Sequence, residues 1–291
     1  MTFDNPFQPP ASTLDLAPPE LPGALITDGR TVPASRGWQW VRDSFTMVAA
    51  APLTWAGITV VFFLLAIAIS ILPIVSLLWN VGMPILLGGL MLGCHAMTHG
   101  EPIALRHMFS GFEAPRLQNL AMVGVLYLAA TVVMVFALVI VGVGGAFGLA
   151  AMVGTEQLEA QPLLVGSGMA IIILLAFGLG AALSMTIWFA PALVALHNIA
   201  PLEAMRMSLR GSLRNMVPFL VYGVLLLLVL LVAGCVGGGF AMAIGFVLRS
   251  GAFGIPEALI GAAITSVVVG IAMAPTVWCA MYASYRDVFV G

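Results

Sequence analysis

The sequence predicts an all-α integral membrane protein: six transmembrane helices in three hairpins, each preceded by a short interfacial amphipathic helix. Its composition is the first observation, because 62% of the 291 residues are hydrophobic and only 8% are charged, whereas about a quarter of a soluble domain is charged. The second is the length of the uncharged stretches. A transmembrane helix needs roughly 20 mostly apolar residues, and residues 117–154 and 162–202 both exceed that length.

The N-terminal residues 1–33 are rich in proline and acidic residues and show no helical periodicity. They contain no basic segment followed by an apolar core, so they do not resemble a signal peptide. We expect them to form a disordered cytoplasmic tail. Residues 34–291 are expected to form the transmembrane domain.

Six uncharged apolar stretches predict the membrane spans, near residues 53–79, 81–98, 117–150, 163–198, 217–248 and 257–284. The first two spans are expected to be joined by a tight turn from Trp79 to Gly82. Each span is apolar all round, as a helix buried in lipid must be.

The arginines predict the orientation of the chain in the membrane. In the six-span arrangement nine of the ten cationic residues, all of them arginine, fall on one side: Arg30, Arg36, Arg42, Arg106, Arg116, Arg206, Arg210, Arg214 and Arg286. Only Arg249 falls on the other side. The positive-inside rule then predicts that this side, and with it both termini, is cytoplasmic.

Three segments on the arginine-rich side align without gaps: VRDSFTMVAAAP from Val41, LRHMFSGFEAPR from Leu105 and MRMSLRGSLRNM from Met205. The alignment matches Arg42, Arg106 and Arg206, and also Phe45, Phe109 and Leu209. We therefore predict three repeats, at about 36–98, 103–198 and 202–287. The second helix of each predicted hairpin carries a proline: Pro84, Pro191 and Pro275.

The third aligned segment also predicts an amphipathic helix at the membrane surface. Its apolar residues recur at three- and four-residue steps: Leu202, Met205, Leu209, Leu213 and Met216. Such helices lie in the headgroup plane, where each cation adds about 1 kcal/mol of attraction to anionic lipid. The predicted binding residues for anionic phospholipid headgroups are Arg42, Arg106, Arg206, Arg210 and Arg214. The alternative is that these arginines only fix the topology and anchor the helices.

Glycines cluster at the opposite ends of two spans, in GVGGAFG from Gly142 and GCVGGGF from Gly234. Glycines three or four residues apart let helix backbones approach closely. We expect tight helix packing there, with a flexible gate as the alternative.

The stretch RGWQWVRDSFTMVAAAPLTW, followed by MPILLGGLMLGCHAMTHGEPIALRHMFSGF, resembles an uncharacterised family of bacterial multi-spanning inner-membrane proteins. The matching features are GGLMLG at residues 88–93, Gly100-Glu101, and the FSGF segment at 109–112. The likeness covers about residues 36–130 and implies no catalytic residues. The unit of an interfacial helix plus a hairpin more distantly resembles the membrane domain attached to some glycerophosphodiester phosphodiesterases, whose soluble catalytic barrel has no counterpart here.

Histidines near the end of the second span suggest a metal site as a weak hypothesis. His95 and His99 are four residues apart and share a helical face, which suits two ligands, and Glu101 and His107 follow closely. Histidines at a membrane boundary need no metal, so no metal or other cofactor is expected. The sequence also lacks a serine or cysteine beside a base and an acid, and we expect no enzymatic activity.

The predicted function is therefore a non-enzymatic inner-membrane organiser or accessory subunit. It would bind anionic lipid headgroups or a partner protein, or form a homo-oligomer, and it would not bind nucleic acid. The alternative is a transporter or channel for a lipid-like or small uncharged substrate, and the third hypothesis is a metal-dependent membrane enzyme.

Overall fold

The computed structural model describes residues 24–71, 76–154, 162–248 and 257–291. Within these ranges the chain is helical, apart from short connections and one isolated antiparallel bridge between Leu25 and Val290. In chain order the helices are α1 (Ser35–Ala50), α2 (Pro52–Ser70), α3 (Ser76–Thr98), α4 (Leu105–Phe109) with a 3-10 turn (Ser110–Phe112), α5 (Arg116–Val153), α6 (Pro162–Trp188), α7 (Ala190–His197), α8 (Pro201–Arg214), α9 (Met216–Leu248) and α10 (Glu257–Phe289).

Six helical segments are long and apolar enough to cross a membrane: α2, α3, α5, α6 continued by α7, α9 and α10. This confirms the predicted all-helical class with six apolar spans. The short helices α1, α4 and α8 each precede a pair of these segments along the chain. The assignment of three repeats stays a prediction.

The predicted turn between the first two spans is wrong. Trp79 to Gly82 lie inside α3, which begins at Ser76, whereas α2 ends at Ser70. In an apolar environment each backbone polar group needs an intrahelical partner, so Asn80 and Gly82 do not end the helix as they would in water. This part of α3 is also covered by α5, since a Cβ added to Gly124 would lie 2.7 Å from the Asn80 carbonyl oxygen.

The fourth span is broken at Phe189, just before Pro191, instead of running straight to residue 198. Proline lacks the N–H of a regular helix and its ring clashes with the preceding turn, so it is tolerated in a first turn. In a straight helix the Phe189 N–H would donate to the Met185 carbonyl. Instead, the Ser208 hydroxyl of α8 lies between these two groups, accepting from Phe189 N–H (2.9 Å) and donating to Met185 (2.6 Å).

The glycines of the GGLMLG segment let α4 and its 3-10 turn lie directly on α3. A Cβ at Gly89 would overlap the carbonyl oxygens of His107 and Met108, and one at Gly111 would overlap that of Ile85. These are contacts between backbones, so the neighbouring chain has no flexible side chain that moves aside. The motif therefore has a packing role.

The helices α1, α4 and α8 and the ends of α3, α7 and α10 lie together at one end of the bundle, called here the arginine-rich end. The largest fully buried side chains are concentrated there, among them Trp40, Phe189, Tyr282, Tyr285 and Phe289. Away from this end, α5, α6 and α9 expose large apolar side chains that suit contact with lipid tails. Tight packing was expected for the glycines of the GVGGAFG and GCVGGGF segments. It is found at Gly237, where an added Cβ would overlap the Thr265 side chain. Among the described residues, nothing lies within 4 Å of a Cβ added at Gly144, Gly145, Gly148 or Gly234.

Residues 24–34 pack against the end of α10, where the sequence predicts a free tail for most of them. The Ile26 N–H donates to the Phe289 carbonyl (2.9 Å) and the Arg30 N–H to that of Val288 (2.8 Å). The buried Asn215 side chain accepts from the Val32 N–H (2.8 Å) and donates to the Arg30 carbonyl (3.0 Å). The rest of the predicted tail, residues 1–23, lies outside the described residues.

Candidate functional site

The five arginines predicted to bind lipid are all exposed at the arginine-rich end. Arg42 lies on α1, Arg106 on α4, and Arg206, Arg210 and Arg214 on α8. Their placement on three separate helices spreads positive charge over this end of the bundle.

Helix α8 presents three different surfaces, which follow from 3.6 residues per turn. One surface packs into the protein through small side chains that include Ala204, Ser208, Gly211 and Ser212. A second exposes apolar side chains, with Leu202 and Leu213 each about half exposed (50% and 51%).

The third surface of α8 is the arginine row, at steps of four residues, and it adjoins the exposed apolar surface. A helix at a membrane boundary has this arrangement, because one surface meets protein, one meets acyl chains and one meets headgroups. The predicted apolar stripe is only partly exposed, since Met205 is buried at 8% exposure.

The aligned positions on α1 and α4 also pair an exposed arginine with an exposed aromatic ring. Phe45 and Phe109 follow Arg42 and Arg106 by three residues and are 39% and 40% exposed. Residues three apart are neighbours on a helix surface. An apolar side chain therefore lies beside a cation in both helices.

Other arginines at this end hold the fold together. Arg36 forms a bidentate ion pair with Asp287, with a 2.5 Å contact from Nε to Oδ2, and the Trp40 Nε1–H donates to the same oxygen (2.6 Å). The hydrogen bond to Asp287 raises the pKa of Arg36, against the opposing effect of partial burial. Arg116 donates from Nε to the Ala195 carbonyl at the end of α7 (3.0 Å).

Arg214 has both roles. It is exposed in the predicted lipid-binding row, and its guanidinium also donates to the carbonyl oxygen of Asp28 (2.5 Å). The sequence did not predict this contact, because Asp28 lies in residues 1–33, which were expected to be disordered.

A hydrogen-bonded cluster links α3 to α10. The Tyr282 hydroxyl lies 3.1 Å from His95 Nδ1 and 3.0 Å from Thr98 Oγ1. Since Thr98 donates its own proton to the His95 carbonyl (2.8 Å), the tyrosine is the donor toward Thr98. His95 then donates from Nδ1 to the tyrosine oxygen.

Tyr285, one turn further along α10, makes a similar tyrosine–histidine contact with the fourth span. The Tyr285 hydroxyl lies 2.5 Å from Nε2 of His197, and the two tyrosine rings are 6.0 Å apart. The sequence reasoning did not single out Tyr282 and Tyr285. Their spacing of three residues near the end of an apolar helix was the available signal.

Of the four residues suggested as metal ligands, His95 and His99 lie together, and His107 and Glu101 do not join them. The rings of His95 and His99 are 4.2 Å apart, and His99 Nδ1 donates to the His95 carbonyl (2.8 Å). His107 uses Nδ1 to accept from the Ala104 N–H (3.0 Å), and Glu101 is exposed. Within the part of the chain that the structure describes, no three His, Cys, Asp or Glu side chains are grouped for a metal ion.

The surroundings of His107 lower its pKa and so favour the neutral imidazole. Partial burial, followed by the nearby Arg106, lowers the pKa of His107, and Glu101 opposes this effect. Neutral His107 keeps Nδ1 free to accept the Ala104 N–H at the start of α4.

Two adjoining polar cavities lie beside the tyrosine cluster and share Thr98, Tyr282 and Arg286 in their walls. The first, of about 270 Å³, is also lined by His95, His99, Tyr285, Val290 and Gly291. The second, of about 230 Å³, is also lined by Arg36, Asp43, Thr46, Met47, Ala283 and Asp287. A third cleft, between α2 and α10, has a volume of about 310 Å³ and is mainly apolar.

The chain is 28% identical over 275 residues to a protein of Burkholderia thailandensis described as a probable inner membrane protein. The aligned region covers 89% of this chain and 92% of that relative. No protein-family model and no solved structure matches the chain. The relative and the six apolar helices together support a multi-pass protein of the bacterial inner membrane.

Proposed function

We propose that this protein is a non-enzymatic organiser of the inner membrane, which binds anionic phospholipid headgroups through the arginine-rich end. The single observation that carries the proposal is the arrangement on α8, where the row of Arg206, Arg210 and Arg214 adjoins an exposed apolar surface. The opposite surface of the same helix is fixed to the protein.

The packed surface of α8 supports this proposal because it holds the helix in one orientation. Ser208 is fully buried and bridges the broken backbone of the fourth span, and Gly211 lies against the Phe289 ring. The arginines are therefore presented by a fixed helix, and binding a headgroup does not require the backbone to become ordered.

The predicted orientation places this end at the cytoplasmic leaflet, whose anionic lipids attract cations near the surface. Phosphate oxygens accept hydrogen bonds from guanidinium groups with two-point geometry. The exposed Phe45 and Phe109 would enter the acyl-chain boundary beside Arg42 and Arg106.

A transporter for a lipid-like or small uncharged substrate is the second hypothesis from the sequence. It requires a polar or roomy path along the bundle. The two polar cavities border residues at the arginine-rich end, and the cleft between α2 and α10 is apolar. These positions favour headgroup binding over transport, and the metal-dependent enzyme remains the third hypothesis.

The test replaces Arg206, Arg210 and Arg214 together by glutamine. The full-length protein is reconstituted in nanodiscs containing equal amounts of phosphatidylglycerol and phosphatidylcholine, then released and weighed by native mass spectrometry. Each cation contributes about 1 kcal/mol, so the triple variant is expected to lose selectivity for phosphatidylglycerol by roughly tenfold or more.

Two controls accompany this variant. The triple arginine-to-lysine variant keeps the charge and is expected to retain most of the selectivity. Arg249→Gln removes one charge on the opposite predicted side and is expected to have no effect. Unchanged selectivity in the triple glutamine variant contradicts the proposal, and a second protein retained in place of lipid after extraction from the native membrane would indicate an accessory subunit instead.

A further inference from the structure

We propose that the two polar cavities beside Tyr282 form one discrete binding site for a phosphate group, with Arg286 as its principal contact. The shared lining of Thr98, Tyr282 and Arg286 makes them two lobes of one site. This inference goes beyond the proposed function, because its residues differ from the arginine row of α8 and either site can exist without the other.

The charges around the cavities favour an anion. The charge of Asp287 is balanced by its bidentate ion pair with Arg36, and the carboxylate also accepts a hydrogen bond from the Trp40 N–H. Asp43 lies 3.7 Å from Arg42. Arg286 is exposed and forms no ion pair with any carboxylate that the structure describes.

The hydrogen-bonding groups of the lining are held in place before any ligand binds. Tyr282, Thr98 and His95 are connected through the network of hydroxyl and imidazole contacts, and Tyr282 is only 2% exposed. A guanidinium beside fixed hydroxyl groups can donate to two oxygens of one phosphate, which is a strong charge-assisted arrangement. Arg286 therefore supplies the positive charge, and the hydrogen-bonded Tyr282, Thr98 and His95 form a fixed wall of the cavity beside it.

The cavity sizes suit a phosphate-bearing ligand. The two lobes have volumes of about 270 and 230 Å³, and the combined site lies within the roughly 300–1,000 Å³ of pockets that hold small organic ligands. A phosphate or a phospholipid headgroup fits this size, and the position at the end of the spans suits either source.

Arg286 also lies in the last turn of α10, where a cation is favoured by the helix dipole. That role alone predicts that replacing Arg286 changes stability and that phosphate has no effect on the wild-type protein. A binding site predicts a response to phosphate that depends on Arg286.

The experiment uses the full-length chain in a neutral detergent and calorimetric titration with two probes, inorganic phosphate and dihexanoyl phosphatidylglycerol, with dihexanoyl phosphatidylcholine as the comparison lipid. Wild-type protein is expected to bind at least one anionic probe. Arg286→Gln is expected to weaken binding by at least tenfold, Arg286→Lys by less, and Tyr282→Phe by a few-fold. Arg249→Gln is the charge-matched control and is expected to bind like the wild type.

The two probes distinguish the sources of the phosphate. Binding of dihexanoyl phosphatidylglycerol at least tenfold tighter than that of inorganic phosphate assigns the site to a lipid headgroup, and similar affinities assign it to free phosphate. The proposal is overturned if neither anionic probe binds the wild type, or if Arg286→Gln binds like the wild type. His99→Gln provides a second variant of the lining, with a loss of affinity expected, should Arg286→Gln fail to fold.

Discussion

Ser208 replaces one helical hydrogen bond of the fourth span with two of its own. Its hydroxyl accepts from Phe189 N–H and donates to the Met185 carbonyl, and the side chain is fully buried. A buried backbone group without a partner costs about 1–3 kcal/mol. The break at Phe189 therefore depends on a side chain nineteen residues away.

Replacing Ser208 by alanine is expected to destabilise the protein by about 1–3 kcal/mol, because the Phe189 N–H loses its acceptor. The matched control is Ser184→Ala, which removes an exposed hydroxyl that donates to the Ala181 carbonyl of its own helix and is expected to change stability by less than about 0.5 kcal/mol. Thermal unfolding in detergent measures both. Equal midpoints for the two variants would show that the inserted hydroxyl is not needed.

His107 is expected to make stability depend on pH. Burial lowers its pKa below the usual 6.5, so the unfolded chain binds more protons between the folded and unfolded values. The contribution of neutral His107 is complete above pH 6.5 and is lost as the pH falls through the folded-state pKa. Protonation also removes the acceptor for the Ala104 N–H.

The comparison variant is His107→Gln, because glutamine at this helix position accepts the same N–H without titrating in this range. Unfolding midpoints are measured at pH 7.5 and pH 5.5. The wild type is expected to lose more stability over this interval than His107→Gln. An identical loss in both proteins would assign the pH dependence to other groups.

The position of α4 on α3 depends on glycines, which have no side chain to separate the two backbones. Gly88, Gly89 and Gly93 of α3 face α4 and its neighbours, and Gly111 faces α3 in return. In the sequence, GGLMLG was a feature of the family resemblance. The structure shows that its glycines allow the close contact between α3 and α4. The close approach holds the exposed Arg106 and Phe109 in a fixed position.

Gly89→Ala is expected to displace α4 and to destabilise the protein by about 1–3 kcal/mol, because the new methyl group meets backbone oxygens. Gly82→Ala in the same helix is the control, since nothing among the described residues lies within 4 Å of the added Cβ. That change is expected to be neutral or stabilising by up to about 1 kcal/mol. Thermal unfolding tests the difference, and a neutral Gly89→Ala would contradict the packing role.

Across the whole molecule, both described chain ends meet at the arginine-rich end. Residues 24–34 lie against the end of α10, and the buried Asp287 joins that helix to Arg36 and Trp40 of α1. The Leu25 bridge to Val290 and the Asn215 hydrogen bonds add further links. This end is therefore a closed structure, whereas α5, α6 and α9 expose apolar surface farther away.

Asp287→Asn is expected to loosen this closed end by about 1–3 kcal/mol, because Arg36 loses its charge partner. Trypsin cleaves after arginine, so cleavage after Arg30 and Arg36 is expected to accelerate by roughly tenfold. Asp43→Asn is the control, since its 3.7 Å contact with Arg42 is exposed and such pairs contribute about 0–1 kcal/mol. Equal cleavage rates in the two variants would argue against a role for Asp287 in holding residues 24–34.

The sequence by itself determined the six apolar spans, the short helices beside the arginines and the clustering of charge at one end. These follow from composition and periodicity, which act locally and are readable residue by residue. The predicted turn at Trp79 to Gly82 failed because a membrane helix tolerates residues that end helices in water.

Only the tertiary structure decided which distant residues share a site. It paired Tyr282 with His95 and Tyr285 with His197, inserted Ser208 into the fourth span, and set Asp287 against Arg36. It also placed two cavities beside Arg286. Such contacts depend on how helices rotate and break relative to one another, and a stretch that is apolar on every side carries no periodic signal for its rotation.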